Sequence, residues 1–181
     1  SLKEKIEKLL EESRKDIEEL NERDKKRVKE SEDTVRRLNE EDEELVKRVR
    51  EELEKLRKEG RLDDRVVEDA RRMLERSRRI SEEILKENRR VLEESKETSK
   101  RILEDNERAV REIKELIDRV RTEEVIKEVE KRLRDVTKTS REKVRENNRR
   151  LEEMTEDTKR LVEENNKDLD KALKDIRKKA E

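Results

Sequence analysis

Asp24 and Asp42 are carboxylates placed among apolar residues on one helical face, and an inward-facing carboxylate with a shifted pKa is the group here best suited to acid–base work. Eighteen residues separate them, roughly 27 Å along a helix at 1.5 Å per residue. Two carboxyls that act on one bond stand within about 10 Å of each other, so these are not a catalytic pair. His and Cys are absent, which removes the usual bases, thiolate nucleophiles and soft metal ligands. The acidic run EEDEE at 40–44 lies on a helix and lacks the Gly-turned loop of a calcium site. The expected role of both Asp residues is therefore structural, accepting hydrogen bonds from nearby hydroxyls or an Arg. No catalytic, cofactor-binding or metal-ligating residue is expected.

Basic pairs occur at Arg36–Arg37, Arg71–Arg72, Arg78–Arg79, Arg89–Arg90 and Arg149–Arg150. A nucleic-acid binder concentrates positive charge on one face and often adds aromatics for stacking. This chain has no aromatic residue, and its charge is evenly spread. Residues 1–59 hold 18 basic and 21 acidic side chains, 61–121 hold 18 and 17, and 122–181 hold 18 and 17. No segment is a basic patch, so neither nucleic acid nor a membrane surface is an expected partner. No apolar run approaches the ~18 residues that span a bilayer, and no targeting signal is evident. The chain reads as soluble, and its start at Ser1 as a trimmed product of recombinant cytoplasmic expression.

The elements that carry these residues are helices. Charged residues make up 60% of the 181 and hydrophobic ones 27%, with one Gly and no Pro. Disorder would need a large net charge and no periodicity. Here the net charge is −1 and the apolar residues are periodic, the pattern of long helices. Residues 13–30 (SRKDIEELNERDKKRVKE) and 31–48 (SEDTVRRLNEEDEELVKR) share Ser, a β-branched residue, Leu, Asn, Asp and Val at matching places. Eighteen residues are five helical turns, so each residue returns to the same angular position. Gly60, within EGRLDD, ends a first helix, with Asp63 or Asp64 capping the next. Thr122, followed by Glu123 and Glu124, opens a third. The expected helices run at about 2–59, 63–120 and 122–181.

A stripe of period 3.6 runs along each helix, from Leu2 to Leu56, Val66 to Val120, and Ile126 to Ala180. That period lies between the heptad and hendecad values, so no supercoil is imposed. The expected fold is all-α: one elongated antiparallel, up-down-up three-helix bundle over 1–181, its helices nearly straight and untwisted. Its inward polar positions are Ser13, Asn21, Asp24, Ser31, Asn39, Asp42, Ser77, Ser81, Asn88, Ser95, Ser99, Asn106, Thr137, Ser140, Asn147, Thr155, Thr158 and Asn165. Folding the chain about Gly60 and residue 121 sets Asn21 and Asp24 near Ser95–Ser99 and Ser140–Asn147. One repeat along, Asn39 and Asp42 fall near Ser77–Ser81 and Thr158–Asn165. Ser31, Asn88 and Thr155 share another level, as do Ser13, Asn106 and Thr137. Buried hydroxyls and amides are costly unless hydrogen-bonded, and networks that satisfy them select one register. Thr139, Asn148 and Asn166 sit at the rim of the stripe, where solvent can serve them instead.

The motif SxxxIxxLNExD, the 18-residue repeat, the inward Ser/Thr/Asn layers and the aromatic-free Glu/Lys/Arg surface resemble computationally designed helical bundles with modular hydrogen-bond networks. The resemblance covers the whole chain. It implies that the networks set oligomeric state and partner choice, without catalysis or cofactor. Two roles fit: a self-contained rigid scaffold that needs no partner, or an interaction module completed by self-association or by a helical partner. The inward arc spans about 100° on the first helix and about 120–140° on the others, taking 100° per residue, which suits a three-helix core and leaves room for a further contact.

Overall fold

The computed structural model describes residues 1–119 and 122–181, in an all-α bundle of three long helices. They are α1 (Leu2–Lys58), α2 (Asp64–Arg119) and α3 (Glu123–Lys179). Each helix end has a local cause. The Ser1 hydroxyl accepts the Glu4 N–H at 3.3 Å, capping α1. Asp63, not Asp64, caps α2: its Oδ1 accepts the Val66 N–H at 2.9 Å, and its carbonyl accepts from Val67 at 3.0 Å. Thr122 precedes α3, and its carbonyl accepts the Ile126 N–H. These residues stand just outside the helices they start, which moves the expected α2 and α3 boundaries by one residue. Val120 and the turn expected at residue 121 lie outside the described residues.

α1 closes in a Schellman motif. Gly60 has φ 69°, its N–H reaches the Arg57 carbonyl at 3.0 Å, and the Arg61 N–H reaches the Leu56 carbonyl at 3.1 Å. The Arg61 guanidinium then extends to the Ala180 carbonyl at 3.3 Å, joining this turn to the end of α3.

The chain packs as two compact units, Ser1–Glu30 with Leu92–Glu152, and Ser31–Val91 with Glu153–Glu181. The first holds a core of Ile6, Ile113, Ile117, Val125, Val129 and Leu133. The second centres on Val49, Leu53, Leu56, Val66, Ala70, Leu173, Ile176 and Ala180. In each unit α2 runs antiparallel to both other helices, as cross-helix partners demonstrate. In the first, Ser99 meets Asn147 and Asn106 meets Ser140 on α3, while Asp24 meets Ser99 and Ile6 shares a core with Ile113. In the second, Asp42 meets Ser81 and Asn39 meets Asn88, while Ser81 meets Asn165 and Asn88 meets Thr158. Every described member of the three stripes is buried or half-buried. Val91, Val125 and Leu173 are also buried although they lie beside the stripes, because a helix in a three-helix core contacts two neighbours and needs a wider apolar arc.

A Cβ placed on Gly60 would meet no atom within 4 Å, so its constraint is the backbone conformation alone. Gly60→Ala is expected to lower the unfolding free energy by about 1 kcal/mol, with Gly60→Asn recovering part of the loss, read by urea unfolding. Equal stability of all three proteins would contradict this account.

Candidate functional site

The side chains of interest form polar layers inside each unit. In the first unit, Asp24 on α1 is 2% exposed. Its Oδ2 accepts from the Ser99 hydroxyl on α2, and its Oδ1 accepts from the Asn147 amide on α3 at 3.2 Å. The Asn147 amide also reaches Ser99 Oγ at 3.2 Å and the Ser95 carbonyl at 3.4 Å. One carboxylate, one hydroxyl and one amide thus close a ring of contacts across three helices.

The second unit repeats the arrangement with every residue displaced by eighteen. Asp42 is 1% exposed; it accepts from the Ser81 hydroxyl through Oδ2 and from the Asn165 amide through Oδ1 at 3.2 Å. Asn165 also reaches Ser81 Oγ and the Ser77 carbonyl, each at 3.4 Å. The Ser81 hydroxyl has one proton and lies 3.1 Å from the Ser77 carbonyl as well. Given to Asp42, that proton makes the stronger, charge-assisted bond.

A second kind of layer links Asn residues. In the second unit the Asn39 amide donates to Asn88 Oδ1 at 2.9 Å, and the Asn88 amide donates to Thr158 Oγ1 at 2.7 Å. The Asn39 amide also bonds the Val35 carbonyl of its own helix at 2.8 Å. In the first unit the Ser140 hydroxyl donates to Asn106 Oδ1 at 2.6 Å, which leaves Asn106 Nδ2 without a protein partner. Asn88 and Asn106 thus pair with Thr158 and Ser140, not with the levels of Thr155 and Thr137 expected from the sequence. Asp42 and Ser81 are equidistant from a point between residues 61 and 62, and the Asn88–Thr158 and Asn106–Ser140 pairs are each centred on residue 123, so α2 is displaced by about one helical turn from the levels set by folding about Gly60 and residue 121.

The remaining inward positions are less engaged. Ser13, Asn21, Ser31, Thr137 and Thr155 are half-buried, and among the described residues no side-chain hydrogen bond joins Ser13, Asn21, Ser31 or Thr137 to another helix. Thr139 is exposed, whereas Asn148 and Asn166 are half-buried with Oδ1 atoms that lack a protein partner. Ser77 Oγ and Ser95 Oγ, at matching places in the two Asp layers, also lack one.

Ion pairs between helices flank the layers. Arg150 pairs with Glu94, Arg27 with Glu152 at 3.2 Å, and Arg177 holds Glu52 through two bonds of 2.5 and 2.6 Å. These contacts were not anticipated, since in a chain so rich in both charges no sequence signal separates them from the pairs along one helix. The Arg177 hydrogen bond lowers the Glu52 pKa. Asp42 moves the other way: burial raises its pKa from 3.8, against the lowering effect of Ser81 and Asn165, and Glu43 adds to the rise.

Among the described residues, no group of three or more His, Cys, Asp or Glu is placed to hold a metal ion, and no helix is long and apolar enough to cross a membrane. What the arrangement does chemically is hold one carboxylate against two neutral donors from two other helices.

Removing a donor leaves the carboxylate under-satisfied. Ser81→Ala is expected to destabilise the protein at neutral pH by about 2 kcal/mol in urea unfolding. The pH dependence follows from the raised Asp42 pKa. The folded protein binds this proton more tightly than the unfolded chain, so the stability linked to protonated Asp42 is fully present below 3.8 and is lost as pH rises through the folded value. Glu52 acts with the opposite sign, its contribution present above 4.5 and lost in acid, and it cancels when wild type is compared with Asp42→Asn. The stability of wild type minus that of Asp42→Asn should therefore increase as pH is lowered from 7 to 3. A flat or falling difference would contradict the assignment.

Compared with protein-family models, with curated proteins and with solved structures, the chain matches none.

Proposed function

We propose that this chain is a computationally designed structural scaffold, without catalytic activity, whose buried Ser, Thr, Asn and Asp layers specify which helix faces pair and in which register. The observation that carries the reading is the Asp–Ser–Asn ring. The same three residue types take the same roles at an offset of eighteen residues on all three helices. Apolar contacts alone tolerate small shifts between helices, whereas a carboxylate with one donor from each neighbour does not.

A second reading, an interaction module that self-associates or takes a partner helix, is favoured by a different observation. Leu85, Leu103 and Leu161 are 37%, 40% and 36% exposed, while most outward positions are charged. Size-exclusion chromatography with in-line light scattering separates the two. A mass near 22.2 kDa supports the self-contained scaffold, and a whole-number multiple supports the module.

The pairing role has its own test in the triple variant Asp24→Leu, Ser99→Ala, Asn147→Leu. Apolar replacement of a buried polar cluster is often neutral or stabilising, at the expense of a unique structure in some proteins. The variant is expected to unfold at equal or higher urea concentration while its amide NMR spectrum broadens or its mass becomes heterogeneous. A single species with sharp resonances would show that the layer does not specify pairing.

A further inference from the structure

We infer that the face of α3 along the α1–α3 groove of the first unit is a docking surface for α3 of a second copy of this chain, laid antiparallel and held by opposite charges. The proposal rests on the self-associating module described above and names the face that it uses.

The groove holds about 600 Å³. Arg134, Lys138, Arg141 and Arg145 line it from α3, and at 100° per residue they fall within about 60° of one another. Among the described residues none of the four forms an ion pair within the chain, whereas Arg132, Lys143 and Arg149 of the same helix each do. Counting charge helix by helix averages this run away, because one repeat later the same face reads Glu152, Glu156, Lys159 and Glu163. All eight side chains are exposed.

A helix that is basic at one station and acidic at the next is complementary to itself when reversed. Turned about a point between residues 148 and 149, α3 sets Arg145 against Glu152 of the second copy, Arg141 against Glu156 and Arg134 against Glu163. Farther out, Glu130 meets Lys167 and Lys127 meets Asp170. Of these facing positions only Lys138 and Lys159 carry like charges. The pairing is isologous, so each contact occurs twice. Asp16, Glu130 and Glu142 line the groove beside the cations, which makes a simple anion a poorer occupant than a helix whose charges follow the same pattern.

Each exposed ion pair contributes little alone, so the association is weak and screened by salt. Leu161, one of the exposed leucines behind the module reading, lies about 170° away around α3, which keeps the two modes separable.

Sedimentation equilibrium of the full chain, at concentrations up to about 0.5 mM, tests the face. In about 20 mM salt the mean mass is expected to rise above 22.2 kDa with concentration, and to return to it in about 1 M salt, where the Debye length is ~3 Å. Glu156→Lys with Glu163→Lys should abolish association, as should Arg134→Glu with Arg141→Glu. An equimolar mixture of these two variants should pair, since the altered positions again face opposite charges. Lys138→Glu turns the one repulsion into an attraction and should tighten self-association roughly 5-fold. Circular dichroism checks that each variant folds. A multimer indifferent to salt and to the charge variants overturns this face while leaving an apolar interaction module standing. A mass of 22.2 kDa under every condition overturns both.

Discussion

A carboxylate removed from water must be met by donors from several directions at once, and the fold is arranged around that requirement. Asp24 and Asp42 each take one bond from a Ser of α2 and one from an Asn of α3. A shift of α1 by one residue would move its Asp about 1.5 Å along the axis and turn it by 100°, away from both donors. An apolar layer subjected to the same shift exchanges one set of contacts for another. In the proposed role the polar layers would fix register more sharply than apolar layers can, and at a cost, because the desolvated charge is offset by neutral donors and not by a cation.

The layers cannot act alone. Since the Asp42 ring repeats the chemistry of the Asp24 ring, neither by itself distinguishes its own partners from those eighteen residues away. The apolar clusters remove that ambiguity. Ile6, Ile113 and Val129 belong to one unit, and Val49 and Leu173 to the other, and none of these has an apolar residue one repeat inward. Fully burying one such side chain contributes about 1.5–3 kcal/mol, so a pairing that satisfied an Asp ring but exposed several of them would be disfavoured by a wide margin. Gly60 acts in the same sense, because a turn that closes α1 through Arg57 and Leu56 sets where α2 begins.

Much of this was legible in the sequence because period and composition report directly on helices. The 3.6-residue stripes placed the inward face, Gly60 with Asp63 or Asp64 marked the first turn, and eighteen residues of helix set Asp24 and Asp42 too far apart to act on one bond. Asp24 and Asp42 were also set near their Ser and Asn partners, since an error of three residues is small beside an eighteen-residue repeat. The Asn88 and Asn106 levels were not legible. Their partners depend on a displacement of α2 by about one helical turn from the levels set by folding about Gly60 and residue 121, and sequence spacing says nothing of how far a connection advances the next helix. The Arg177–Glu52 and Arg150–Glu94 pairs were hidden for another reason: with 54 basic and 55 acidic residues, nearly every surface position has a plausible partner.

The two Asn layers indicate how finely such networks depend on detail. Thr158 and Ser140 occupy equivalent places, and each presents one hydroxyl to an Asn of α2. In the second unit the hydroxyl oxygen accepts from Asn88 Nδ2, which frees Asn88 Oδ1 to accept from Asn39, so the chain of bonds crosses three helices. In the first unit the hydroxyl donates to Asn106 Oδ1, and Asn106 Nδ2 is left without a protein partner. The same donors and acceptors are available in both layers, and the orientation of the Asn amide, with the hydroxyl donating or accepting to suit it, determines whether two helices are joined or three. A hydroxyl that can act in either sense is therefore a weaker specifier than a carboxylate that, when ionised, can only accept. This asymmetry explains why the Asp rings repeat faithfully between the units while the Asn layers do not.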